Sequence, residues 1–146
     1  MYITNADIET RLGPALYVQL TDDSGAGVAN EDVVNEARLA AEGEVDAYLA
    51  ARYQVPIDIA VHPQVAGVLV GIALDLAEYR LRARRPPIPA DAGAKHGAAI
   101  EWLRRVARGE VELPAAEALA SNPATAPHVL TTGEKRVLTR EELSGF

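Results

Sequence analysis

The chain has 146 residues, of which 49% are hydrophobic, with a net charge of −7 and no cysteine. That length is one ordinary domain, long enough to bury roughly two thirds of the surface exposed by its unfolded chain, so the fold needs no covalent staple. The missing thiols exclude a disulfide framework, a thiolate metal site and a cysteine nucleophile.

The opening Met1-Tyr2-Ile3-Thr4-Asn5 lacks the basic and apolar regions of a signal peptide, and no later run approaches the roughly 20 apolar residues of a membrane span. A soluble protein made in the cytoplasm is expected. Asn5 is placed to cap a short helix carrying Ile8 and Leu12, which Gly13-Pro14 stops, and Leu16, Val18 and Leu20 come next as a small apolar patch. Asp22-Asp23-Ser24-Gly25-Ala26-Gly27 is a loop by composition, and Asn30 is a good cap for the next helix. That long helix is predicted from about Glu31 to Arg52, with Val34, Ala37, Ala41, Val45, Tyr48 and Arg52 recurring at helical spacing and an acidic outer side.

Val55-Pro56-Ile57 breaks that pattern, and His62-Pro63 opens a third helix with Val65, Val68, Leu69, Ile72, Leu76 and Tyr79 as its apolar stripe. It ends in Arg80, Arg82, Arg84 and Arg85, where positive charge suits the helix dipole, before the stiff connector Pro86, Pro87 and Pro89. A fourth helix runs from about Asp91 to Arg108 and stops at Gly109, with Ala94, Ala98, Trp102 or Leu103, and Val106 toward the core. The fold class is all-α: a small antiparallel bundle of about four helices over residues 1–113, with a thin core because alanine, valine and leucine dominate its apolar content. Residues 114–146 carry Pro114, Pro123 and Pro127 and no sustained period, and read as an extended C-terminal tail with a reach on the order of 100 Å.

Charge is unevenly divided. Residues 1–61 hold 11 acidic and 3 basic side chains, residues 62–110 hold 5 and 8, and residues 111–146 hold 5 and 3. Opposite faces of one subunit attract each other between copies placed head to tail, or else the two halves pair inside one monomer. Arg80, Arg82, Arg84 and Arg85, with Arg104, Arg105 and Arg108, form the candidate nucleic-acid or partner surface, although Glu78 and Glu101 stand one turn before Arg82 and Arg105 as local partners.

Catalytic chemistry finds no pattern. His62, His96 and His128 are more than 30 residues apart and none has a second ligand at helical spacing. If Asp22 began a calcium loop, Ala26 and Val33 would fill ligand positions, and Asn30 stands where a phosphate cradle needs its third glycine. Ser24, Ser121 and Ser144 lie in no Gly-x-Ser-x-Gly turn. The expectation is a protein without catalytic, cofactor-binding or metal-binding residues, and not an enzyme. The chain end is more suggestive: Val137, Leu138, Leu143 and Phe146 gather where a peptide would dock by strand addition plus anchors, and Thr139 with Glu142 has capping-box spacing.

Three stretches carry a resemblance. Asp46-Ala47-Tyr48-Leu49-Ala50-Ala51-Arg52-Tyr53-Gln54-Val55-Pro56-Ile57, then Trp102-Leu103-Arg104-Arg105-Val106-Ala107-Arg108-Gly109 with Leu113, and Arg136-Val137-Leu138-Thr139-Arg140 to Gly145-Phe146 resemble the Mu-like phage and prophage head-tail joining family. The resemblance spans nearly the whole chain, including Tyr2-Ile3-Thr4. It implies a helical adaptor in the virion, at the head-tail interface, whose copies form a ring under the portal and extend the DNA channel. The partners so implied are the portal protein, neighbouring copies with twelve-fold symmetry, a tail-proximal stopper or tail protein, and DNA that passes without sequence-specific binding. The alternatives are a tail-completion or stopper protein and a DNA-binding packaging accessory using the arginine cluster.

Overall fold

The computed structural model describes residues 1–114. The expected docking tail, with Val137, Leu138, Leu143 and Phe146, lies outside the described residues, as do His128, Ser121 and Ser144. Among the described residues the fold is all-α and contains no strand: α1 (Asn5–Leu12), α2 (Pro14–Thr21), α3 (Glu31–Leu49), α4 (Pro63–Ala83) and α5 (Ala90–Ala107).

The all-α fold expected with about four helices has five, and the extra one arises at Gly13-Pro14. Gly13 takes φ 79°, which ends α1, while Pro14 occupies the first turn of α2, where its missing amide hydrogen costs nothing. One dipeptide both stops a helix and starts the next. The apolar patch around Leu16 is therefore α2, with Tyr17, Leu20 and Thr21 buried.

The caps arise from side-chain chemistry. Thr4, not Asn5, caps α1: its hydroxyl accepts from the Asp7 amide at 3.2 Å, and the Asp7 carboxylate accepts from the Thr4 amide at 2.8 Å, a complete capping box. Asn30 caps α3 as expected, accepting from the amides of Asp32 at 3.0 Å and Val33 at 3.4 Å. Gly109, at φ 77°, closes α5, with the Glu110 amide donating to the Arg105 carbonyl at 2.9 Å.

Helices α3, α4 and α5 pack mutually as a three-helix body, and α1 and α2 lie against α3 and α4. The core is continuous, with Val34, Ala41, Val45, Leu49, Leu69, Ala73, Leu76, Leu81, Leu103 and Val106 fully enclosed. The expected stripes are right in existence but partly wrong in phase. Leu49 is buried where Tyr48 and Arg52 were expected, Val68 is 46% exposed, Ala94 and Ala98 face solvent while Ala92 and Ala99 are buried, and Leu103 rather than Trp102 fills the core. Alanine occurs on both sides of α3 and α5, so hydrophobic contrast does not fix the rotation of either helix.

Both ends of the described chain are fastened to the segment after α3. The Tyr2 hydroxyl accepts from the Ile57 amide at 3.0 Å and donates to the Asp46 carboxylate at 2.5 Å, and the Tyr53 hydroxyl accepts from the Leu113 amide at 2.9 Å. Burial, then the bond to Asp46, holds the Tyr2 phenol well above its ordinary pKa. The buried Glu42 carboxylate accepts from the amides of Tyr2 at 2.5 Å and Ile3 at 3.1 Å, and pairs with Arg38 at 3.0 Å. No helix among the described residues is long and apolar enough to cross a membrane.

Candidate functional site

Arg80, Arg82, Arg84 and Arg85 sit at the C-terminal end of α4, and each is held within the chain, whereas Arg104 on α5 is exposed and makes no ion pair among the described residues. Arg80 pairs with Glu44 on α3 at 2.6 Å, and Arg82 with Glu78 one turn back at 2.8 Å. Arg84 donates to the Leu20 carbonyl at 2.8 Å and to Asp23 at 2.5 Å; Arg85 donates to the Asp22 carbonyl at 2.7 Å and to Asp23 at 3.3 Å. Glu78 is buried and also takes Arg11, which reaches Asp75 as well. The division of charge seen in the sequence thus closes inside the monomer at this point. Glu78 partners Arg82 as the sequence suggests, whereas Glu101 pairs with Arg108 at 3.2 Å and Arg105 turns to Glu110 at 3.5 Å.

The loop that invited a calcium reading is the other half of this latch. One oxygen of Asp22 accepts from the amides of Ser24 at 3.0 Å, Gly25 at 2.8 Å and Ala26 at 3.2 Å and from the Ser24 hydroxyl at 2.9 Å; the other accepts from the Gly27 amide at 2.7 Å. These donors, Gly27 foremost, hold the Asp22 carboxyl below its ordinary range. Asp23 is likewise lowered, chiefly by its bond to Arg84. Asp22 builds the loop and Asp23 grips α4. Among the described residues no group of three or more histidines or carboxylates stands where it could hold a metal ion.

Beside the latch runs an open groove of about 460 Å³ between α3 and the end of α4, lined by Val33, Glu36, Ala37, Ala40, Glu44, Tyr79, Arg80, Ala83, Arg84 and His96. Its aromatic wall is Tyr79 stacked on His96, ring centroids 4.0 Å apart at 23°. His96 is half-buried there, and His62 precedes the first residue of α4.

The residues that carry the family resemblance are mostly structural in this geometry. Tyr53, Ile57 and Leu113 tie the ends of the fold, and Gly109 turns the chain back beside the Arg52 guanidinium. The family model described as Bacteriophage Mu, Gp36 matches residues 2–131. The chain belongs to that family. No curated protein matches it. The span matched to the Mu Gp36 family starts at Tyr2, the residue whose hydroxyl and amide fasten the N-terminus to Asp46, Ile57 and Glu42. It covers every described helix, so membership in this Mu-type phage family applies to the body as a whole.

Proposed function

We propose that this protein is a structural head-tail connector of the phage particle: an adaptor whose copies form a ring beneath the portal, extend the DNA channel and present a platform to the stopper or tail protein below. It works at the head-tail interface by shape and contact, without a cofactor and without catalysis. The observation that carries the reading is the match to the Mu Gp36 family across residues 2–131, on a body made only of packed helices among its described residues. The internal pairing of Arg80, Arg82, Arg84 and Arg85 supports it, because paired guanidiniums on an acidic chain let a phosphate backbone slide rather than grip it. That same pairing weighs against a packaging accessory that binds DNA through the cluster.

Electron microscopy of the protein mixed with portal particles tests the proposal. An added ring of density on the tail-proximal side of the portal, twelve-fold like it, is the expected result; particles indistinguishable from portal alone would sink it. Removal of residues 130–146, which contain Val137, Leu138, Leu143 and Phe146, is expected to abolish portal binding and leave the helical circular dichroism intact.

A further inference from the structure

Two helices of the body turn an unpartnered face to solvent. At 3.6 residues per turn, Asp32, Glu36, Leu39, Gly43, Ala47 and Ala50 fall on one side of α3 and its C-terminal cap, and all are exposed, Leu39 by 59%. This face is acidic in its first turns and uncharged and mostly small thereafter. On α5 the outward residues are Ala94, Gly97, Ala98, Glu101, Arg105 and Arg108, again all exposed. That face is small and uncharged first, then charged: Arg105 and Arg108 stand beside Glu101, and both arginines pair with Glu110, at 3.5 and 2.6 Å. A side chain added at Gly43 or Gly97 would meet nothing within 4 Å, so neither glycine is explained by packing inside the monomer.

The two faces are complementary when laid antiparallel. With Gly43 opposite Ala98, Ala47 falls opposite Ala94 and Glu36 opposite Arg105, and Asp32 comes level with Arg108. Leu39 then drops between Ala98 and Arg105, over Glu101, whose carboxylate Arg108 already holds at 3.2 Å. Small residues at the crossing let the backbones approach closely, and the acidic N-terminal turns of one helix meet the basic C-terminal turns of the other. Glu36 has no ion-pair partner among the described residues, and it and Asp32 would share Arg105 and Arg108 with their present partners Glu101 and Glu110, both about half exposed. In the parallel arrangement the charged ends would meet the small ends, and the match is lost.

We infer that the occupant of the α3 face is the α5 face of a second copy of this chain, packed antiparallel with Gly43 opposite Ala98. This inference rests on the reading that copies assemble side by side, and it names the surfaces they use. The contact joins two different patches, so repetition propagates from copy to copy and closes into a ring if the rotation allows. It does not use the arginine latch, and the exposed face of α4 around Val68 stays outside it.

The full-length chain tests this without interference, because it has no cysteine. Gly43→Cys mixed with Ala98→Cys is expected to give a disulfide-linked pair under mild oxidation, and Gly43→Cys mixed with Val68→Cys is not. Gly43→Gln and Ala98→Gln are expected to reduce self-association in sedimentation at least tenfold while circular dichroism is unchanged and Tm stays at or above the parent's for Gly43→Gln and close to it for Ala98→Gln. Glu36→Arg is expected to weaken association, and Arg105→Glu in the same chain to restore it. Bulky variants that associate like the parent, or equal cross-linking through Val68, would overturn the contact and leave the ring reading standing. A parent chain that neither self-associates at high concentration nor adds a ring to portal particles would overturn both.

Discussion

Single carboxylates define much of this molecule. Glu42 is only 8% exposed and satisfies two backbone amides and one guanidinium, so its removal strands three donors in or near the core. Glu42→Ala is expected to lower unfolding stability by about 3 kcal/mol, read as a shift in urea midpoint with an unchanged slope. Glu42 falls in the acidic set of the predicted α3, and its burial is not legible in sequence, since the amides it accepts from belong to Tyr2 and Ile3, 40 and 39 residues away. Asp22 was legible as unusual but not for its purpose. Five donors from its own loop depress its folded pKa, so it contributes stability above the ordinary carboxylate range, near about pH 4, and that contribution disappears as pH falls through the lower folded value. Asp22→Asn is expected to flatten the acid side of a Tm-against-pH curve and to leave the neutral plateau with only a small loss. A steep acid limb unchanged by the substitution would contradict this.

The helices show where sequence reasoning succeeds and where it loses phase. Proline and glycine punctuation located the start of α4 and the end of α5, because those residues act through their own backbone. Rotation about the axis was harder: alanine on both faces of α5 left Trp102 and Leu103 as equal candidates, and tertiary packing chose Leu103. Leu103→Ala is expected to cost about 2–5 kcal/mol, whereas Ala94→Ser on the outer face should stay within about 0.5 kcal/mol, by chemical denaturation of each variant. At Gly109 two effects combine, since φ 77° disfavours any side chain and a Cβ there would run into the Arg52 guanidinium. Gly109→Ala is expected to cost about 1–2 kcal/mol from backbone strain alone. Adding Arg52→Ala should return only the part owed to the collision, which a double-mutant cycle reads as non-additivity.

At the scale of the whole molecule, the acidic and basic segments visible in the sequence meet through Arg80–Glu44 and the grip of Asp23 on Arg84 and Arg85. The pairing partners were unreadable because they bridge 36, 61 and 62 residues of chain. With these cations neutralised, the protein is expected not to retard duplex DNA in a gel at about 0.15 M salt, and a salt-sensitive shift lost on Arg82→Ala with Arg85→Ala would restore the DNA-binding alternative. The fastening of both chain ends has a mechanical consequence. Tyr53 holds the amide of Leu113 and Tyr2 holds that of Ile57, so the entry and exit of the body are pinned to the one short segment from Tyr53 to Ile57. A pull on the chain at Pro114 would load the Tyr53 clamp and, through it, the end of α3, where Glu42 and Asp46 also hold the N-terminus. The strength of the Tyr53 clamp would then set how hard that pull can become before α5 itself takes the load.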